Sequence, residues 1–217
     1  MKTFTYFDAD RLRAVWAAQP GPKTVLKAGG LDLLDLIKEG VVAPDAVVNL
    51  SRIEALREVR DDADGLHVGA LVTLADLARN ERIRDAYPVL HQAVADAATP
   101  QVRERATVAG NLCQRPRCWY YRSADFPCLK KGGATCYAVE GENAYHAVLG
   151  GGPCHIVHPS SCAPPLLALD AEAMIAGPDA TRTVKLRDFF VLPRQDLSRE
   201  HRLGPGEVIT DIRIPAV

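Results

Sequence analysis

The sequence predicts an α+β fold in two parts, a small α/β unit followed by a larger α+β unit. Apolar strand-like segments alternate with helical ones over the first quarter of the 217 residues. Strands separated by glycine-rich turns follow in the second half, and between them lies a long irregular segment that contains four cysteines. We expect a boundary near residues 55–65, which gives a first unit of residues 1–57 and a second of residues 58–217.

Apolar spacing and glycines define the first unit. A helix is predicted over residues 10–19, with Asp8 or Asp10 as its cap. Residues 24–28 form a short buried strand that Gly29-Gly30 joins directly to a helix over 31–39. Residues 46–50 are a further apolar strand, and the alternation of strands and helices favours a parallel sheet.

The second unit is predicted to contain an antiparallel sheet. A strand over 66–72 follows an acidic turn at 61–65, Thr73 caps a helix that runs to residue 79, and a longer helix covers 83–98 with Pro88 near its start. Residues 106–108 form a short strand before a Gly110-Asn111 turn. Beyond the cysteines, strands are predicted over 171–176, 183–186 and 208–214.

Composition excludes several classes of partner. The formal net charge is −1 and 47% of the residues are hydrophobic, so the chain has no electrostatic signature of nucleic-acid or anionic-membrane binding. No stretch approaches the ~20 apolar residues that span a bilayer, and residues 1–6 lack the apolar core of a signal peptide. We therefore expect a cytoplasmic location, with export alongside a signal-bearing partner as the alternative.

Four cysteines with the spacing C-x9-C-x7-C-x17-C suggest a metal site: Cys118, Cys128, Cys136 and Cys154. Thiolates gathered in one irregular loop are typical ligands of an iron–sulfur cluster, and a structural zinc also accepts four of them. Disulfides are less favoured because disulfide frameworks are usual in smaller secreted chains.

The other cysteines and the nearby histidines are interpreted as structural. Cys113 and Cys162 adjoin apolar residues and are predicted to be small buried thiols. His146, His155 and His158 are predicted to be polar loop residues bonded to the backbone rather than metal ligands.

The sequence contains two glycine segments of interest, Gly29-Gly30 and, second, residues 107–111 around Gly110. Gly29-Gly30 lies between a strand and a helix, where glycines allow close approach and free N–H groups donate to an anion. Neither G-x-G-x-x-G nor G-x-x-x-x-G-K-[ST] is present, and each glycine turn by itself is more often purely structural.

Taken together, these segments resemble a known family. KAGGLDLL (27–34), GALVTL (69–74), ATVAGNL (106–112) and GEVITDIRIP (206–215) occur in the order and spacing of the FAD-binding (medium) subunit of the xanthine dehydrogenase family of molybdenum hydroxylases. GNLCQR (110–115), RCWYY (117–121), YHAVLG (145–150) and HPS (158–160) resemble the branch whose flavin subunit holds an extra [4Fe–4S] cluster. That branch includes bacterial periplasmic-type aldehyde oxidoreductases and, more distantly, 4-hydroxybenzoyl-CoA reductase.

The resemblance implies a two-subdomain FAD-binding domain of the vanillyl-alcohol-oxidase (PCMH) type, with an iron–sulfur loop inserted at 113–162. It implies that the four cysteines hold the [4Fe–4S] cluster. Residues 28–34 would wrap the FAD pyrophosphate, with Asp32 near a phosphate or ribose. The implied cofactor-binding residues are Lys27, Ala28, Gly29, Gly30, Leu31, Asp32, Leu33, Leu34, Thr73, Thr99, Ala106, Thr107, Gly110, Asn111, Cys113, Gln114, Val208 and Ile209.

The sequence departs from the family at two points. Ser161 follows the His-Pro-Ser turn where the family has an aspartate that contacts the ribose. The family's C-terminal domain, which supplies a lysine near the flavin ring, is expected to be absent.

The function implied by the resemblance is electron transfer. A partner subunit with the molybdenum cofactor would oxidise an aldehyde or an aromatic substrate, and a small subunit with two [2Fe–2S] clusters would pass the electrons on. FAD would then deliver them to an external acceptor, so this chain needs no catalytic acid, base or nucleophile of its own. Two alternatives are a metal-stabilised module that only docks partner subunits and a stand-alone flavin reductase.

Overall fold

A three-stranded parallel sheet forms the first part of the chain. The structure is a computed structural model that describes residues 2–18 and 21–216. The sheet has the order β1-β3-β2, and its strands are β1 (Thr5–Asp8), β2 (Thr24–Lys27) and β3 (Ala46–Asn49). Helices α1 (Leu12–Ala17) and α2 (Leu31–Lys38) connect them. All four β3 residues are buried, as expected for the central strand of a parallel sheet.

The predicted parallel sheet is confirmed, but two details of the first part were wrong. Strand β1 was not predicted, because its residues are mostly exposed and show no apolar run. Helix α1 starts after Arg11 without a side-chain cap. Asp8 instead accepts a hydrogen bond from Asn49 at 2.7 Å, and Gln19, the predicted helix end, lies outside the described residues.

A five-stranded antiparallel sheet forms the second part, as predicted. Its order is β4-β5-β8-β6-β7, and its strands are β4 (Val59–Asp62), β5 (Gly65–Gly69), β6 (Glu172–Ala176), β7 (Thr181–Lys185) and β8 (Val208–Pro215). The central strand β8 pairs with β5 and β6. Strand β4 was predicted as part of a turn, because an edge strand tolerates the polar Asp61 and Asp62 that usually signal one.

Short helices cover this sheet and connect its strands. They are α3 (Leu74–Arg79), α4 (Glu81–Ala86), α5 (Pro88–Ala95), α6 (Pro100–Arg103), α7 (Val108–Leu112), α8 (Trp119–Arg122), α9 (Ala163–Ala168) and α10 (Leu186–Phe189). The single helix predicted over 83–98 was wrong. Pro88 lacks an N–H and disfavours helical geometry at Tyr87, so α4 ends there and Pro88 starts α5.

The predicted strand and turn at residues 106–111 were also wrong. Thr107 is the N-cap of α7, and its hydroxyl accepts a hydrogen bond from the Gly110 N–H at 3.2 Å. Gly110 and Asn111 therefore lie within a helix. By contrast, the cap predicted at Thr73 is confirmed, because Thr73 and Asp76 form a reciprocal capping box at the start of α3.

Two apolar cores hold the parts together. The larger lies between the antiparallel sheet and its helices, and includes Leu66, Leu166 and Phe189. The smaller joins the two sheets, since Val48 of β3 packs with Val208 of β8. None of the described helices is long and apolar enough to cross a bilayer. The division between residues 57 and 58 stays a prediction.

Phe189 offers a direct test of the larger core. Its side chain is fully buried, and its ring lies 5.3 Å from the Phe190 ring and 5.7 Å from the His201 ring. We expect Phe189→Ala to lower the free energy of unfolding by about 3–5 kcal/mol in urea titrations, through lost burial and a cavity. Leu192→Ala, at a half-exposed site nearby, should cost less than about 1 kcal/mol. Equal effects of the two substitutions would contradict this core assignment.

Candidate functional site

The junction between β2 and α2 presents an array of free backbone amides. Gly30, the residue before α2, has a φ of +86°, in the left-handed region that favours glycine. The first helical bond across this junction runs from the Leu34 N–H to the Gly30 carbonyl. Among the described residues, the backbone N–H groups of 29–33 have no protein acceptor. Such an array at a helix N-terminus is suited to bind an anionic group.

The backbone of residues 105–106 packs directly against this junction. A Cβ placed on Gly29 would lie 1.9 Å from the Arg105 carbonyl oxygen and 3.7 Å from the Ala106 Cα. Only glycine therefore allows the backbone at residue 29 to approach the backbone at 105–106. The structure thus brings together two segments that the sequence placed in one candidate site.

Positive charge surrounds the same junction. The Lys27 ammonium donates to the Asn49 side chain at 3.0 Å, and burial followed by the nearby Arg105 charge lowers the pKa of Lys27. Arg105 is exposed, and its guanidinium has no ion-pair or hydrogen-bond partner among the described residues. Arg105 was not among the predicted site residues, because an isolated arginine carries no sequence signal.

Asp32, which was predicted to lie near a phosphate or ribose, makes several contacts within the chain. Its carboxylate accepts hydrogen bonds from the Arg115 backbone N–H at 2.8 Å and from the Arg122 guanidinium at 2.6 Å. Arg122 also donates to Asp35 at 3.0 Å, and its side chain is only 11% exposed. These contacts fasten α2 onto the segment that begins the cysteine loop, and the position of Asp32 near a phosphate or ribose stays a prediction.

The second glycine segment differs from the first because its amides are used. The Val108 N–H donates to the Val72 carbonyl and the Ala109 N–H to the Ala70 carbonyl. The Asn111 side chain accepts hydrogen bonds from the Ser160 hydroxyl at 2.6 Å and the Cys162 N–H at 3.1 Å. Most amides of this segment are therefore bonded within the protein, and its Asn111 side chain supports the His-Pro-Ser turn.

The remaining predicted cofactor residues have mainly local contacts. Thr99 is exposed and caps α6. Gln114 donates to the Asn111 carbonyl at 2.9 Å. Val208 and Ile209 are buried in the smaller and the larger core, respectively. The packing of Val208 and Ile209 against a flavin ring stays a prediction.

The four predicted ligand cysteines converge on one narrow cavity. Their side chains line it together with Tyr120, Tyr121, Leu129, Lys130, Tyr137, Ala138 and Ile156. Within the described chain, no three of these sulfurs lie within 4.8 Å of one another. The loop folds tightly at Gly133, where a Cβ would lie 1.7 Å from the Pro127 carbonyl oxygen.

Burial affects the pKa of two of these thiols. Burial raises the pKa of the Cys118 thiol, while the backbone N–H groups of Tyr121 and Tyr120 act in the opposite direction. Burial raises the pKa of Cys154 to about 11, against a backbone hydrogen bond from Ile156. Burial therefore disfavours the charged thiolate form of both residues in the protein alone.

The two other cysteines lie outside that cavity. Cys162 is fully buried in the larger core, and burial raises its pKa to about 12. Cys113 packs at the edge of the same core, and burial likewise raises its pKa to about 12. The predicted burial is confirmed for Cys162, whereas Cys113 is only partly buried and its predicted place beside the cofactor stays a prediction.

The three loop histidines have separate environments. The Nε2 atom of His146 lies 3.1 Å from the Cys118 sulfur. The Nδ1 atom of His158 accepts from the Ser160 N–H at 3.3 Å, and burial lowers its pKa. His155 accepts from the Ala147 N–H through its backbone carbonyl at 2.9 Å.

Long-range ion pairs that the sequence did not reveal close the cysteine loop. Lys130 lines the cavity, and its ammonium pairs with Glu200 and donates to the Leu197 carbonyl at 2.9 Å. The Arg115 Nε atom lies 2.6 Å from the second Glu200 oxygen. The side chains of Lys130 and Glu200 are 1% and 2% exposed, so each charge depends on its partner.

A further cluster of polar groups consists of Asp62 at the end of β4, Asp64 in the following turn and the buried His67 of β5. Its carboxylates are already paired with arginines. Arg60 lies 3.1 Å from Asp62, and Arg213 lies 2.8 Å from Asp64. This cluster is consistent with ion pairing on a solvated sheet face.

The free amides, the neighbouring cations and the fold define a nucleotide-cofactor-binding domain. Residues 2–217 match the family described as the FAD binding domain in molybdopterin dehydrogenase. The chain belongs to this family of oxidoreductases, and the predicted family and fold class are confirmed.

Individual relatives agree with this assignment. The chain is 38% identical over 219 residues to the aldehyde oxidoreductase FAD-binding subunit PaoB of Escherichia coli (strain K12), covering 99% of this chain and 69% of PaoB. It is 26% identical to the carbon monoxide dehydrogenase medium chain of Hydrogenophaga pseudoflava, covering 91% of this chain and 53% of that relative.

A solved structure shows the same fold. A Cu,Mo-CO dehydrogenase in its cyanide-inactivated form matches with a TM-score of 0.72 at 20% identity, covering 100% of this chain and 61% of that one. The chain thus spans between about half and two thirds of the length of these relatives.

Arg122 provides a test of the contact between α2 and the cysteine loop. We expect Arg122→Gln to speed proteolysis between residues 117 and 153, because Asp32 loses its charged donor and the loop loses an anchor. Arg117→Gln is the matched control, since Arg117 is 54% exposed and lies 3.5 Å from Asp32. Cleavage at the wild-type rate in Arg122→Gln, measured by limited chymotrypsin digestion because both substitutions remove a trypsin site, would contradict this role.

Proposed function

We propose that this chain is the FAD- and [4Fe–4S]-containing electron-transfer subunit of a molybdenum-dependent oxidoreductase. The observation that carries the proposal is that one helix, α2, belongs to both candidate sites. Its N-terminus presents the free amides, while Leu36 packs against Tyr121 and Cys128 in the cysteine loop. A flavin and a metal cluster held in this way would lie near different parts of the same short helix, α2.

The flavin half of the proposal rests on the β2–α2 junction. FAD supplies the one- and two-electron chemistry when bound, and the protein contributes binding and orientation. The backbone amides of residues 29–33 would donate to the pyrophosphate, and Lys27 and Arg105 would balance its charge. Gly30 supplies the left-handed turn, and Gly29 allows the 105–106 segment to close the side of the site.

The [4Fe–4S] assignment rests on the spacing of the four cysteine sulfurs and on the ligands that such clusters use. Tetrahedral zinc with Zn–S bonds near 2.3 Å requires sulfur atoms about 3.8 Å apart. No three of the four sulfurs in the described chain lie within 4.8 Å of one another, as three ligands of one zinc ion would. A cubane cluster is larger than one ion, and four cysteine thiolates are its usual ligands. These features favour the cluster over zinc.

The partner assignment rests on the relatives and on exposed apolar residues of the loop. PaoB is an FAD-binding subunit of an aldehyde oxidoreductase, which suggests a molybdenum-cofactor subunit that oxidises an aldehyde or aromatic substrate. A small subunit with [2Fe–2S] clusters would complete a heterotrimer. Tyr145, Val148 and Leu149 are each more than 80% exposed, as expected for side chains that a partner subunit covers.

A visible spectrum of the purified protein separates this function from its alternatives. The proposed protein should show flavin bands together with a broad cluster absorbance near ~400 nm that reduction bleaches. Flavin bands alone would favour a stand-alone flavin reductase. A colourless protein that contains zinc would favour a metal-stabilised docking module. Either of these two results would overturn the proposal.

Arg105 tests the flavin site without disturbing the fold. Its exposed guanidinium has no partner among the described residues, so Arg105→Ala should leave the unfolding midpoint unchanged. We expect the dissociation constant for FAD to rise about fivefold, because about 1 kcal/mol of charge interaction is lost. This dissociation constant is measured by fluorescence titration of FAD into flavin-free protein. Arg84→Ala on α4 is the control, and an equal effect there would remove Arg105 from the site.

The cysteine set is tested by serine substitutions. Cys128→Ser, Cys136→Ser and Cys154→Ser should each lower iron and acid-labile sulfide, because a hydroxyl is a poor substitute for a soft thiolate. Cys162→Ser is the matched control and should keep both, since Cys162 lies in the larger core. Cys113→Ser should also retain its iron. Loss of the cluster from Cys162→Ser together with its retention in Cys154→Ser would show the ligand set to be wrong.

A further inference from the structure

The His146 side chain lies within hydrogen-bond distance of the sulfur of Cys118, a predicted ligand. Its Nε2 atom lies 3.1 Å from the Sγ atom of Cys118. The ring is fixed by aromatic neighbours, with the Trp119 ring 5.2 Å away at an interplanar angle of 78°. The Tyr120 ring lies 6.3 Å away on the same short helix, α8. This packing holds the imidazole in one orientation toward the sulfur.

The other ring nitrogen shows which atom carries the proton. The Nδ1 atom of His146 is buried and has no hydrogen-bond partner among the described residues. A neutral imidazole has one N–H donor and one acceptor nitrogen, and a thiolate can only accept. Placing the proton on Nε2 makes the N–H···S bond. The opposite tautomer would bury an unpaired donor and set two lone pairs against each other.

We propose that His146 is a positioning residue that donates its Nε2–H to the Cys118 sulfur and thereby raises the reduction potential of the cluster. The inference rests on the function proposed above and concerns the same cysteine site. Reduction adds one electron to the cluster and increases the negative charge on its sulfur ligands. An N–H donor stabilises that charge more strongly than the charge of the oxidised state, so it favours the reduced state.

The position of the donor adds to its effect. Cys118 is only partly buried, whereas Cys128 and Cys154 are each 5% exposed. His146 and its aromatic neighbours therefore stand at the more open side of the cavity, where they also limit the approach of water. Hydrogen bonding and solvent exposure are two of the main determinants of cluster potential.

Matched variants of the whole chain test the proposal. His146→Phe keeps an aromatic ring against Trp119 but removes the donor, and His146→Gln restores an N–H donor of similar reach. His155→Phe is the control, because His155 lies in the same loop and has no sulfur contact in the structure. The midpoint potential of each protein is measured by a redox titration followed by EPR of the reduced cluster, alongside iron and sulfide content.

We expect His146→Phe to retain iron and sulfide and to show a more negative midpoint potential. His146→Gln should lie closer to wild type, and His155→Phe should match it. An unchanged potential in His146→Phe, or loss of its iron, would overturn the proposal, and loss of iron from both His146 variants would make His146 a ligand. Iron-free wild-type protein would instead overturn the proposed function on which this inference rests.

Discussion

The ion pair between Asp32 and Arg122 is the contact on which the arrangement of both sites depends. Asp32 lies in the first turn of α2, next to the free amides, and Arg122 ends α8, which follows Cys118 directly. Arg122 also donates to the Pro116 and Arg115 carbonyls, so one guanidinium gathers the start of the loop onto α2. Because both groups are largely shielded from water, this pair is much less screened than the ion pairs on the surface.

The cysteine loop otherwise has little to hold its shape. Its regular structure between residues 117 and 153 is one turn of helix and a short 3₁₀ segment, and its apolar cluster is small. A second anchor of the loop is Lys130, whose buried ammonium pairs with Glu200 and donates to the Leu197 carbonyl. If the loop binds the proposed cluster, the free energy of binding contributes to its folding.

The sequence predicted the elements whose causes are local. The Thr73 cap, the Gly29-Gly30 junction and the two sheet types follow from residues close together in the chain. Strand β4 was missed because its edge position tolerates acidic residues, and the helix over 83–98 was wrong because the effect of Pro88 was underestimated. The ion pairs of Asp32, Lys130 and Glu200 could not be predicted, because each partner lies 70 or more residues away in the sequence.

The most direct test of the shared helix is the affinity for FAD with and without iron. The dissociation constant is measured on wild-type protein as purified anaerobically and again after its iron has been removed by oxidation and chelation. If α2 joins the two sites, loss of iron loosens the loop that holds Asp32, and the dissociation constant for FAD should rise several-fold. An unchanged dissociation constant in folded, iron-free protein would show that the two sites are independent and would contradict the central role of α2.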